Sequence, residues 1–76
     1  MTKSEFLAMI EEILEIDAGS ISLDAHLEDL GWDSLSDVSF IAEVDSALDM
    51  EVNANQLVKC ETVADLMKLV ESKVEA

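Results

Sequence analysis

The chain has 76 residues, half of them apolar, and eighteen acidic side chains against four lysines and no arginine give it a formal net charge of −14. One domain over residues 1–76 is expected, since a smaller piece would bury too little surface to fold alone, and the charge makes nucleic acid and acidic membrane surfaces poor partners. The longest unbroken apolar run, Phe6 to Ile10, is far short of the roughly 20 residues of a membrane span, and the amino-terminal stretch does not match a secretory signal, so a cytoplasmic monomer is expected.

The first helix is predicted from Lys3 to Ile16, opened by Thr2 with Glu5 in the capping-box spacing. Phe6, Met9, Ile10, Ile13 and Leu14 share one side of it, away from Glu11, Glu12 and Glu15. From Asp17 to Asp33 the periodicity weakens and Gly19, Ser20, Ser22, Asp24 and Gly31 supply turn chemistry, which predicts a long loop. Isolated apolar residues at Ile21, Leu23, Leu27, Leu30 and Trp32 are placed to pin that loop over the open side of a bundle. A loop of this length in so small a chain is more often functional than idle. A second helix is predicted over Ser34–Leu48, with Asp33 as N-cap, Leu35, Val38, Ile41, Val44 and Leu48 facing inward and Phe40 flanking them. Asn53 caps a short helical turn over Ala54–Lys59, and Thr62 with Asp65 repeats the capping box for a last helix whose apolar face is Val63, Leu66, Met67, Val70 and Val74. No stretch shows sustained alternation, so the expected class is all-α: three longer helices, one short one, and a long loop between the first two.

The acidity invites a metal, but an EF-hand register with Gly31 at the sixth position puts Leu30 where a ligand belongs and Asp37 where the final glutamate belongs. Only weak divalent binding to scattered carboxylates stays open. One histidine and one cysteine cannot build a structural zinc site. Catalysis by a nucleophile needs a base in reach, and the only histidine, His26, lies in the loop. Gly31-Trp32-Asp33-Ser34 lacks the second glycine of an esterase elbow, and two glycines make no phosphate loop. The lone Cys60 sits among apolar neighbours and reads either as core or as a thiol. There remains Asp33-Ser34-Leu35, where the loop meets a helix. Its plainest reading is a capping aspartate followed by a solvent-facing serine. The alternative is that Ser34 is a modification point, whose phosphodiester would lie beside the free N–H groups of the first turn.

Leu27-Glu28-Asp29-Leu30-Gly31-Trp32-Asp33-Ser34-Leu35 resembles the loop and attachment motif of the acyl carrier protein family, in which an Asp-Ser-Leu triplet carries 4'-phosphopantetheine on its serine. The resemblance extends over the whole chain, to the closing helix that starts with Thr62 and Val63. It implies covalent attachment at Ser34, flanked by Asp33 and Leu35, through a partner phosphopantetheinyl transferase. The reactive chemistry is then the cofactor's, and the protein is no enzyme but a carrier of acyl or aminoacyl thioesters. It also implies a docking face on the second helix, for which Leu35, Ala42 and the exposed acids Asp37, Glu43 and Asp45 are the candidates, recognised by loading and processing enzymes with basic patches. At Ser39 and Ala42 many fatty-acid members have a glutamate and a larger apolar residue, and Asn53 stands where a proline is frequent. These differences favour a polyketide, peptide or aminoacyl pathway over housekeeping fatty-acid synthesis. The rival from another class is an acidic helical interaction module with no prosthetic group.

Overall fold

The computed structural model describes residues 1–75. It contains α1 (Lys3–Leu14), α2 (Ser34–Leu48), α3 (Ala54–Leu57) and α4 (Val63–Leu69), followed by a 3₁₀ turn over Glu71–Lys73. Among the described residues there is no strand, only isolated bridges between Thr2 and Glu75 and between His26 and Thr62, and no helix long and apolar enough to cross a membrane.

Each helix starts where a side-chain cap is encoded. Thr2 Oγ1 accepts the Glu5 N–H at 3.1 Å while the Glu5 carboxylate accepts the Thr2 N–H at 2.9 Å, a closed capping box. Those bonds from Thr2 hold the Glu5 carboxyl below its usual range. α1 stops at Leu14 rather than Ile16, because Glu15 turns left-handed (φ 57°) and the Ile16 N–H reaches back to the Glu11 carbonyl at 3.0 Å.

Phe6, Ile10, Phe40, Val44, Val63, Leu66 and Val70 are completely enclosed and form the centre of the core. Its axis is aromatic. Phe6 and Phe40 meet edge-to-face with centroids 6.2 Å apart, and Trp32 meets Phe40 edge-on at 6.1 Å.

The inward face of α2 differs from the expected one. Leu35 and Val38 are 76% and 64% exposed, whereas Ser36, Phe40 and Val44 are buried and Ile41 and Leu48 only half-buried. The helix is apolar around much of its circumference, so periodicity alone does not orient it. The packing of Phe40 between Phe6 and Trp32 does.

The loop after α1 is pinned as its apolar residues predict, with Ile21 and Leu27 buried and Leu23, Leu30 and Trp32 half-buried against the core. One anchor comes from the supposed polar side of α1. Glu11 is buried, and its carboxylate accepts the Ile21 N–H at 3.2 Å. Backbone bonds from Leu27 N–H to the Glu61 carbonyl (2.9 Å), Val63 N–H to Ala25 (3.1 Å) and Ala64 N–H to Leu23 (2.8 Å) tie the loop to the start of α4. α3 ends at Leu57 instead of Lys59, and α4 at Leu69 instead of running on to Val74. Val70 leaves the helical region (φ −123°, ψ 15°) to stay enclosed, and the tighter turn that follows returns Val74 to the core.

Candidate functional site

The approach to Ser34 is built by the end of the long loop. Gly31 adopts φ 76°, a conformation glycine takes without strain, and this lets the Trp32 N–H turn back to the Leu27 carbonyl at 3.0 Å. Asp33 is extended (φ −133°, ψ −170°) and caps α2. Its Oδ1 accepts the Ser36 N–H at 3.0 Å and the Ser36 hydroxyl at 3.2 Å. The first intrahelical bond runs from the Asp37 N–H to the Asp33 carbonyl at 3.0 Å. Ser34 is therefore the first residue of a 15-residue helix, exposed to solvent, and the N–H groups of Ser34 and Leu35 lie ahead of the helical ladder.

A carboxylate next to an anionic ester would oppose it, yet both nearby aspartates are engaged. Asp33 is spent on the cap. Asp37, expected among the exposed acids, is instead half-buried, and its Oδ1 accepts the indole Nε1–H of Trp32 at 2.6 Å. Glu43, Asp45 and Ala42 are exposed along the same helix, as is Leu35. The structure thus brings Asp33, Ser34, Leu35 and Asp37 into one turn and strings Ala42, Glu43 and Asp45 along the following ones.

Ser34 opens onto a groove of about 370 Å³ whose walls include Leu27, Trp32, Leu57, Val58 and Cys60. Cys60 is half-buried and its Sγ lies 3.6 Å from the Gln56 carbonyl. Burial, and after it the charges of Asp65 and Asp37, push the thiol's pKa up, so it is held protonated and is a poor nucleophile. His26 is exposed and lines a neighbouring groove with Cys60 and Glu61, not the one at Ser34. Another cavity, of about 450 Å³, is walled by Lys3, Leu23, Ala64, Met67, Lys68 and Val74 among others, and its lining includes no serine, cysteine or histidine. No cluster of three metal-ligating side chains occurs among the described residues. Ser36 and Glu11 were missed by the sequence reading, since nothing in their spacing separates a buried polar residue from an exposed one.

The site's parts fit a phosphoryl-linked arm: an exposed primary hydroxyl, helix-start N–H groups, and flanking carboxylates already occupied by donors. Comparison with known proteins identifies the family of the chain as a whole. The family described as "Phosphopantetheine attachment site" matches residues 4–70. The chain is 30% identical over 78 residues to an acyl carrier protein of Prochlorococcus marinus (strain MIT 9515), an alignment that covers 96% of this chain and 98% of that protein. It is 33% identical over 64 residues to orsellinic acid synthase of Beauveria bassiana (strain ARSEF 2860), covering 84% of the chain and 3% of the synthase. It is 41% identical over 56 residues to probable polyketide synthase 13 of Dictyostelium discoideum, covering 74% of the chain and 2% of that protein. Against these two synthases the chain spans only 3% and 2% of the relative's length. No solved structure matches.

An all-helical chain matched over residues 4–70 by this family is a carrier domain. The chain belongs to the phosphopantetheine-attachment family, whose prosthetic group is 4'-phosphopantetheine and whose members are modified by phosphopantetheinyl transferases.

Proposed function

We propose that the chain is a single carrier domain over residues 1–76 that bears 4'-phosphopantetheine on Ser34 and presents acyl or aminoacyl thioesters to the enzymes of a polyketide, peptide or fatty-acid pathway, catalysing nothing itself. The observation that carries this reading is the exposure of Ser34 at the first position of α2, with Asp33 and Asp37 tied down on either side. Attachment forms one bond, from Ser34 Oγ to the phosphorus of the coenzyme A arm. It breaks the phosphoanhydride, the adenosine bisphosphate departs, and the serine proton passes to a base of the transferase. Once attached, the arm supplies a terminal thiol for thioester formation.

This chain's own residues orient and present. Asp33 and Leu35 flank the attachment point. Leu35, Ala42, Glu43 and Asp45 offer an exposed apolar and acidic strip to partners with basic patches, so their charges raise encounter rates more than final affinity. Two of the relatives are synthases, one of them named for polyketides, which supports a polyketide-type cargo.

Incubation with coenzyme A and a broad-specificity phosphopantetheinyl transferase, read by intact mass, tests the assignment. One phosphopantetheinyl increment on the wild type and none on Ser34→Ala is the expected result. An unshifted wild type would leave the rival, an acidic interaction module without a prosthetic group, as the better account.

A further inference from the structure

Trp32 and Asp37 lie on opposite sides of Ser34 in the chain and are joined by a hydrogen bond that no cap requires. The indole Nε1–H donates to Asp37 Oδ1 with 2.6 Å between the two heavy atoms. It runs from the last turn of the loop to the first turn of α2, so it spans exposed Ser34 along the chain in addition to the Asp33 cap. Its loop end is anchored. The Trp32 ring packs edge-on against Phe40, Phe40 packs edge-on against Phe6, and the Trp32 backbone N–H is bonded to the Leu27 carbonyl. Trp32 also lines the groove onto which Ser34 opens.

We propose that Trp32 and Asp37 are a positioning pair for the attachment reaction, fixing the Ser34 turn against the core, and that Asp37 acts through this bond and not as a charge that attracts partners. The inference rests on Ser34 being the attachment point. It divides the acids of α2 by role. Glu43 and Asp45, exposed and free of the indole, remain the steering charges, while Asp37 spends its acceptor oxygen internally. A residue that steers acts at long range and is screened by salt. A residue that positions acts on the docked complex and is indifferent to salt.

Three variants separate the two roles. Trp32→Phe keeps a ring against Phe40 but removes the donor. Asp37→Leu removes the acceptor, and Asp37→Asn removes the charge while keeping an acceptor oxygen. With coenzyme A and the transferase, Trp32→Phe and Asp37→Leu are expected to lower kcat up to about tenfold with little change in KM, the most that a hydrogen bond of ordinary strength is worth. Asp37→Asn, which keeps an acceptor oxygen without the charge, is expected to lose distinctly less kcat than Asp37→Leu and to keep the wild-type dependence of kcat/KM on salt. In the unmodified proteins, the indole N–H should exchange with solvent slowly in the wild type and Asp37→Asn and rapidly in Asp37→Leu. Melting curves establish that each variant folds, and if Asp37→Leu does not, the Trp32→Phe and Asp37→Asn pair decides. Trp32→Phe at the wild-type rate overturns the pairing, as does an Asp37→Asn loss that matches Asp37→Leu and flattens the salt dependence. A wild type that accepts no arm overturns the assignment of Ser34 itself, a different result from a modified wild type with an unimpaired Trp32→Phe.

Discussion

Glu11 is 5% exposed, and its carboxylate accepts the N–H of Ile21, which is itself buried. Ile21 is the first residue of the loop to reach the core, so this bond ties the point where the loop begins to cover the bundle back to α1. Removing the acceptor leaves a buried donor without a partner. Glu11→Ala is therefore expected to cost about 1–3 kcal/mol in urea unfolding, and Glu11→Gln, which keeps an oxygen there, distinctly less. An unchanged midpoint for Glu11→Ala would show the bond to be replaceable by water. At this scale the sequence was only partly legible. The start of a helix at Ser34, with Asp33 as its cap, is legible because a cap lies next to the helix it opens. The burial of Glu11 and Ser36 is not, because polarity patterns sort residues by type while burial is decided by the elements packed above them.

The helices show the same division. Thr2, Asp33, Asn53 and Thr62 all cap as their spacing predicts, since a cap is a contact between residues close in the chain. The rotation of α2 was misjudged because Leu35 and Val38 continue an apolar row that α2 turns to solvent, and only the distant Phe6 decides in favour of Phe40. The ends of α1 and α4 were missed for a related reason. Glu15 adopts a left-handed conformation that its side chain does not announce, and Val70 abandons the helix to keep its burial.

The capping box of α4 carries a pH consequence. Asp65 Oδ2 accepts the N–H groups of Glu61 and Thr62 at 3.0 and 3.1 Å, and these bonds hold its carboxyl below the usual range. A carboxyl whose pKa is lower folded than unfolded contributes stability that is present above its unfolded value and lost as pH falls through its folded one. The stability difference between wild type and Asp65→Asn is thus expected to be constant near neutrality and to shrink on acidification below the ordinary aspartate range. A difference that grew on acidification would contradict the box. Thr62→Ala, which removes the other half, is expected to cost about 1 kcal/mol.

At the scale of the molecule the charge of −14 is spread over a body with an 11.0 Å radius of gyration. That size is close to the screening length of about 10 Å at 0.1 M salt, so added salt reaches nearly every pair of repelling carboxylates. Folding should therefore tighten with ionic strength, and the melting temperature should rise between low and moderate salt. A flat or falling curve would mean that the few lysines contribute more attraction than the acids do repulsion.

Met1 and Lys3 meet Glu75. The Lys3 N–H bonds to the Glu75 carbonyl at 3.1 Å and the Glu75 N–H to the Met1 carbonyl at 2.7 Å. The far end of α1 faces the turn of Ser34, since Ile13, Leu14 and Glu15 share a shallow groove with Asp33 and Leu35, which sets Thr2 and Glu75 roughly one helix length, about 18 Å, from the serine. A fluorescent tag on a cysteine introduced at Thr2 or Glu75 should therefore leave the hydroxyl equally open to a transferase.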